Sequence, residues 1–356
     1  MVNALSVDLE DWYHICDFDN SVYLRDWEKH YAHLETNVCK VLSIFNQFNV
    51  HATFFIVGMI AKNSPELIKR IADAGHEVAS HGFLHRRIFD MTQQEFEEDL
   101  LESKRYIEKA AGKKVIGYRA PEWSLKLNNI WALDILKKHG FRYDASAVPL
   151  SHLGGNHFEL YPYEIKTKYG NIMEFPLSTF RCYWERIPFS GGLPMRITPY
   201  FYTISYAKKM NRKGHPVMFY LHPWEFDSNH IRVELPANRK FMHYCNLKSS
   251  SKKIMLLLER MEFSTVQDVL GLGNINNNKI SESEKYYKYY DKFYFKSAFN
   301  CFLFIGSILL SIFLTAYLMR QYAFMLILIL FTVFYWPWSL LLKKINSLFK
   351  RSIKTI

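Results

Sequence analysis

Five cysteines in 356 residues, odd in number, scattered and never in CxxC spacing, offer neither a disulfide framework nor a paired-thiol motif. Cys16, Cys39, Cys182, Cys245 and Cys301 therefore read as reduced thiols, as expected of a catalytic domain in the cytosol. The amino end lacks a leader: Met1 runs at once into a short β-like run, residues 2–7, with no basic or long apolar segment before it, so nothing there marks the chain for export. Net basic charge is small outside one region. From Gly273 onward 11 Lys/Arg stand against 3 Asp/Glu, so that stretch carries +8 of the formal +11. A pI near 9.2 is thus a property of the tail, which argues against a nucleic-acid partner.

What is present is a series of chemical groups, each following a strand-like run. Residues 2–7 end in Asp8-Leu9-Glu10-Asp11-Trp12, and three carboxylates this close repel one another unless a cation or an arginine stabilises them. If the strand continues through Glu10, Asp8 and Glu10 share a face. A helical pattern over 27–45 and a buried strand over 51–57 follow. Ser64 as N-cap, Pro65 at the first helical position and Gly75 as stop bound a second helix. Then comes Ser80-His81-Gly82-Phe83-Leu84-His85, after the apolar run 77–79. On a helical turn, two imidazoles four residues apart face one metal ion. Thr92 and Glu95, in capping-box spacing, open a helix that Gly112 stops. The run 115–118 ends in Arg119-Ala120-Pro121-Glu122-Trp123. After a helix over 130–139, the run 141–143 leads to Asp144-Ala145-Ser146, and the run 216–221 ends in His222-Pro223-Trp224-Glu225. Alternating strand and helix predicts a parallel α/β fold with functional groups at the carboxyl ends of its strands.

These motifs, in this order, resemble those of the polysaccharide deacetylase family, the NodB-homology group, over residues 3–272. The resemblance is greatest to the branch found with bacterial exopolysaccharide and exosortase-type gene clusters. It implies a distorted (β/α) barrel of the NodB-homology type. It also implies hydrolysis of an N-acetyl, less often O-acetyl, group on a sugar, with zinc or another divalent ion. By the same resemblance His81 and His85 are metal ligands and Asp8 is the general base. Many relatives have two adjacent aspartates in the first motif, base then ligand. Here Leu9 follows Asp8, so Glu10 or Asp11 must supply the third ligand; strand geometry favours Glu10, residue type favours Asp11.

Two neutral imidazoles and a carboxylate leave open positions on a divalent ion for water and the acetyl carbonyl. In that scheme Asp8 takes the proton of water, Arg119 orients Asp8, and His222 gives a proton to the departing amine. Asp144 holds His222 charged, and a backbone N–H near Tyr143 joins the metal in stabilising the oxyanion. Trp123 and Trp224 suit sugar stacking. Two rival readings are a related metal hydrolase acting on a non-sugar amide or cyclic imide, and a catalytically silent carbohydrate-binding membrane protein.

Beyond the catalytic domain, 1–272, residues 273–296 read as a polar linker. Two uncharged apolar stretches, 297–319 and 322–342, are each long enough to span a bilayer, with a basic tail at 343–356. Lysines on both flanks place both ends on the cytoplasmic side, giving a two-helix transmembrane hairpin in the inner membrane. The expected substrate is an acetylated, lipid-linked saccharide.

Overall fold

The computed structural model describes residues 1–11, 14, 27–150, 157–182, 185–227, 232 and 235–273. The linker, both apolar stretches and the basic tail lie outside the described residues. Among the described residues no helix is long and apolar enough to cross a membrane.

The strands are β1 (Asn3–Leu9), β2 (Thr53–Ile56), β3 (Glu77–Ser80), β4 (Gly117–Tyr118), β5 (Tyr143–Asp144), β6 (Tyr163–Thr167), β7 (Gly170–Glu174), β8 (Thr179–Cys182), β9 (Glu185–Pro188), β10 (Met218–Leu221) and β11 (Phe263–Ser264). Nine form one sheet in the order β10-β1-β2-β3-β4-β5-β7-β6, with β11 also on β1, while β8 and β9 pair separately. Every pairing in the large sheet is parallel except the β6–β7 hairpin. The order is an open path; among the described residues no pairing joins β10 to β6.

All seven residues of β1 are buried, as a strand covered on both faces requires. Its polar members are satisfied across the sheet: Asn3 Oδ1 accepts from Val217 N, and Ser6 Oγ donates to Phe219 O. Residues 53–56 and 218–221 are likewise buried, and apolar apart from Thr53 and the Tyr220 hydroxyl. The helix Pro65–Asp73 buries Leu67, Ile68 and Ile71, spaced for one face and worth about 1.5–3 kcal/mol each. Ser64 stands at its N-cap but makes no side-chain capping bond. The helix Gln93–Ala111 has both bonds of the Thr92–Glu95 capping box, ends on Gly112 at φ 64°, and turns Phe96, Leu100 and Ile107 inward.

Packing beneath the sheet depends on one glycine. A Cβ on Gly117 would lie 2.0 Å from the Tyr143 ring; its absence lets that ring through, and Tyr143 Oη donates to Glu77 Oε1 at 2.8 Å. Thr53 Oγ1 and Gln267 N donate to the other oxygen. Burial dominates over these donors and raises the Glu77 carboxyl from 4.5 to about 7. The folded state therefore holds a proton that the unfolded chain has lost between those values. Stability conferred by the protonated acid is complete below the lower value and declines as pH rises to about 7, by roughly 3 kcal/mol. Glu77→Gln is expected to flatten that slope, read as melting temperature against pH between pH 5 and 8. An unchanged slope would mean that Glu77 is ionised throughout.

Candidate active site

The carboxyl ends of β1, β3, β4 and β10 converge. At the end of β1, Asp8 is 3% exposed and Arg119 is fully buried. Arg119 Nη1 donates to Asp8 Oδ1 at 2.5 Å and to Ser6 Oγ at 3.0 Å, and Nε donates to Ala145 O at 3.2 Å. The guanidinium lies 4.0 Å from the Phe55 ring centroid. With Oδ1 held by arginine, Asp8 Oδ2 lies 3.9 Å from His222 Nε2.

Strand β1 ends at Leu9, one residue before Glu10, yet Glu10 reaches the histidines. Its Oε2 is 2.5 Å from His85 Nε2 and 3.9 Å from His81 Nε2, and its Oε1 is 3.4 Å from His222 Nε2. Ligand atoms of Glu10, His81 and His85 all lie within 4.8 Å of one another. Asp11 is not in that group. It is buried, and its backbone N–H donates to Nδ1 of His14, a residue the sequence reading passed over although it lies two positions beyond the first motif.

The histidine pair does not sit on a helical turn. After β3 the chain passes through Gly82 at φ 74° and reaches His85 at φ 56°. Such a conformation in a non-glycine residue is strained, and surrounding contacts must hold it. Asp99, from the helix 93–111, does so by accepting from Phe83 N at 2.6 Å and Leu84 N at 3.1 Å. Nothing in the sequence marked Asp99.

Protonation separates the imidazoles. His81 Nδ1 faces the Arg119 carbonyl at 2.8 Å; a carbonyl only accepts, so the proton is on Nδ1 and the Nε2 lone pair faces Glu10. Burial, opposed by Asp8, lowers His81 to about 4, which leaves it neutral and ligand-ready. His14 has the opposite tautomer: its Nδ1 accepts from Asp11 N, so the neutral ring carries its proton on Nε2. Burial and the neighbouring His85 lower it to about 3. For Glu10, burial pushes upward, but His85, with His222 and His81, holds the carboxyl far below its usual range. In His222, burial pulls down but Glu225, Glu10 and Asp8 outweigh it and raise the ring to about 9. One site thus contains neutral imidazoles beside a charged one, the separation that distinguishes a metal ligand from a proton donor. Two imidazoles and a carboxylate whose ligand atoms lie within 4.8 Å of one another are a donor set that suits a divalent ion.

Three sequence expectations are corrected. Asp144 is fully buried but does not reach His222: its Oδ1 accepts from Ser146 Oγ at 2.6 Å, and it shares a buried carboxyl pair with Glu174. Among the described residues, the carboxylates within 4 Å of His222 belong to Asp8, Glu10 and Glu225. The backbone N–H groups expected near Tyr143 are already occupied, Tyr143 N by Ile116 O and Ala145 N by Tyr118 O. Trp224 is 5% exposed and lies against His222, with centroids 5.2 Å apart and planes at 21°, so it is wall and not a sugar platform. Trp123, at φ 54°, stays partly exposed beside Tyr220 at 5.1 Å.

Residues 18–143 match the family profile described as polysaccharide deacetylase, and 145–271 match a domain of unknown function, DUF3473. Asp8 and Glu10 precede both matches. A peptidoglycan deacetylase of Helicobacter pylori is 38% identical over 112 residues, 32% of this chain and 37% of that protein. A chitooligosaccharide deacetylase of Sinorhizobium fredii is 35% identical over 98 residues, 27% of this chain and 43% of that protein. The chain thus spans less than half the length of these relatives. In fold it is similar to a crystal structure from Mycobacterium smegmatis assigned to the polysaccharide deacetylases, with a TM-score of 0.53 at 22% identity, over 75% of this chain and 88% of that one.

Proposed function

The chain carries a polysaccharide deacetylase domain, and on that premise we propose that it hydrolyses acetyl groups from the nitrogen of an acetylated saccharide with the help of a divalent metal ion. The observation that carries the reading is the meeting of Glu10, His81 and His85 beside Asp8 and a charged His222. In this scheme those three residues hold the ion, for which zinc suits a donor set of two imidazoles and a carboxylate. The ion, when bound, supplies Lewis acidity to the acetyl carbonyl and to water.

Asp8, held at Oδ1 by Arg119, offers Oδ2 to the proton of the attacking water. As the C–N bond breaks, His222 Nε2 gives its proton to the amine nitrogen, and the products are acetate and a free amino sugar. Asp8 and His222 lie 3.9 Å apart, so the proton gained by one and the proton given by the other belong to the same reacting group. The partly exposed Trp123 is the aromatic surface left for a sugar ring.

The natural substrate in this reading is a lipid-linked saccharide precursor of an exopolysaccharide or envelope polymer, met at the inner face of the cytoplasmic membrane. What supports the membrane setting is the sequence: two uncharged stretches of spanning length flanked by lysines. A reporter fused after Ile356 that proved periplasmic would exclude a hairpin with both ends in the cytoplasm.

The test is acetate release from an N-acetylated oligosaccharide by the purified protein, before and after chelation, with zinc or cobalt restored. Glu10→Gln is expected to lose bound metal and release together, whereas Asp11→Asn keeps its metal. Metal loss on Asp11→Asn and not on Glu10→Gln would reverse the ligand assignment. Turnover of small cyclic amides with no acetate release would favour the rival amidohydrolase.

A further inference from the structure

The segment matched only as a domain of unknown function, residues 145–271, contains a buried run of charged contacts that ends on His222. Residues Pro223–Phe226 form a 3-10 turn, whose threefold repeat places positions three apart over one another. Glu225 therefore comes back beneath His222, its Oε1 3.5 Å from His222 Nδ1. The same oxygen is 3.4 Å from Arg196 Nε. The Glu225 side chain is fully buried, that of Arg196 is 2% exposed and that of His222 is 15% exposed, so only the last member reaches the site.

Arg196 is fixed by its surroundings. Its Nη1 donates to the carbonyls of His243 and Cys245, each at 2.8 Å, and its Nη2 donates to that of Met242 at 2.5 Å. Its own carbonyl accepts from Asn246 Nδ2 and Lys253 Nζ. Three carbonyl dipoles replace water around the guanidinium, and Glu225, 3.4 Å from Nε, supplies the counter-charge. A buried carboxylate and a buried guanidinium are costly unless so paired, and an arrangement this committed is weak as a device for stability alone.

The geometry on His222 divides into two constraints. Trp224 lies against the ring and sets its plane. It does not decide which nitrogen faces the reaction, because an imidazole can turn over about its terminal torsion and keep the same plane. Glu225 biases that: its carboxylate, 3.5 Å from Nδ1 as a charge contact, favours the orientation that leaves Nε2 directed at Asp8 and Glu10, 3.9 and 3.4 Å away.

We propose that Glu225, locked by Arg196, is the positioning residue that presents His222 as proton donor, and that the carboxyl-terminal half of the domain supplies this relay to the deacetylase half. The inference rests on the deacetylase reading. The reaction it serves is balanced by two proton movements: water gives one to Asp8 as its oxygen bonds to the acetyl carbon, and His222 Nε2 gives one to nitrogen as the C–N bond breaks. An amine leaves only with that second proton. A 4-nitrophenolate leaves without one, so an aryl ester bypasses the donor.

The experiment compares the metal-loaded full chain with its Glu225→Gln variant on two substrates, an N-acetylglucosamine oligomer and 4-nitrophenyl acetate. The ratio of amide to ester turnover is expected to fall at least about 10-fold, within the range of general-acid effects, with bound metal still one per chain. Because the single substitution leaves the Arg196 charge unbalanced, the double substitution Arg196→Gln with Glu225→Gln, which removes both charges, is measured beside it and is expected to show the same fall. A proportional loss on both substrates would make the relay a packing feature, and an unchanged ratio would show that His222 needs no such partner; either overturns the proposal. A wild-type chain that turned over the ester but no N-acetyl sugar would instead overturn the deacetylase reading on which the proposal stands.

Discussion

Replacing His85 by alanine is expected to reduce bound divalent metal from about one per chain to near none, and to abolish acetate release. His85 Nε2 is 2.5 Å from Glu10 Oε2, and without it the set shrinks to His81 and Glu10, whose nearest nitrogen and oxygen are 3.9 Å apart. Loss of even an outer partner of a ligand typically costs 10- to 100-fold, so removing a ligand should cost more than about 10²-fold in affinity. Melting supplies a readout independent of turnover. A ligand that binds only the folded state stabilises it by mass action, so chelation should lower the melting temperature of the wild type and leave that of His85→Ala unmoved. Retention of tightly bound metal by the variant would place the ion elsewhere. The substitution does not relieve the strained backbone, since alanine at φ 56° is no more at ease than histidine.

Arg119→Leu is expected to have the largest effect on stability. It would leave Asp8, 3% exposed, without its 2.5 Å partner, and breaking a buried pair from one side costs about 3–5 kcal/mol. It would also remove the donor to Ser6 Oγ and the cation over the Phe55 ring. Denaturant unfolding measures the cost, and acetate release should fall with it because Asp8 loses its orientation. The double variant Asp8→Leu with Arg119→Leu separates the two consequences. Removing both charges should recover part of the lost stability, while activity stays absent because the base is gone. If the double variant were less stable than the sum of the single ones, Asp8 and Arg119 would not be acting as a pair.

Both variants change residues that the sequence marked, and the reason they were visible is local. In a parallel α/β sheet the strand ends face one side, so a chemical residue just after each apolar run announces the site: Asp8 after β1, His81 after β3, Arg119 after β4, His222 after β10. The Thr92–Glu95 capping box and Gly112 were legible for the same reason, since both bonds close within three residues of chain.

Less visible were contacts whose partners are far apart in sequence or separated by a turn of unpredictable direction. Nothing in Asp8-Leu9-Glu10-Asp11 shows that β1 stops at Leu9 and that Glu10, not Asp11, then reaches His85. The spacing of His81 and His85 suggested a helix, but Asp99 and two positive-φ residues bring them together in a loop.

Glu225 stood in the quoted motif with no role, while Asp144 was given the place beside His222 that Glu225 occupies. The choice turns on a 3-10 turn and on Arg196, which lies 29 residues before Glu225 in the chain. The sequence by itself determined the order of strands and helices, the chemical groups at the strand ends and the resemblance to the polysaccharide deacetylases. Only the tertiary structure decided which carboxylate meets which imidazole, which tryptophan is buried and which protons are already occupied, because those depend on side-chain direction and burial, which one-dimensional spacing does not carry.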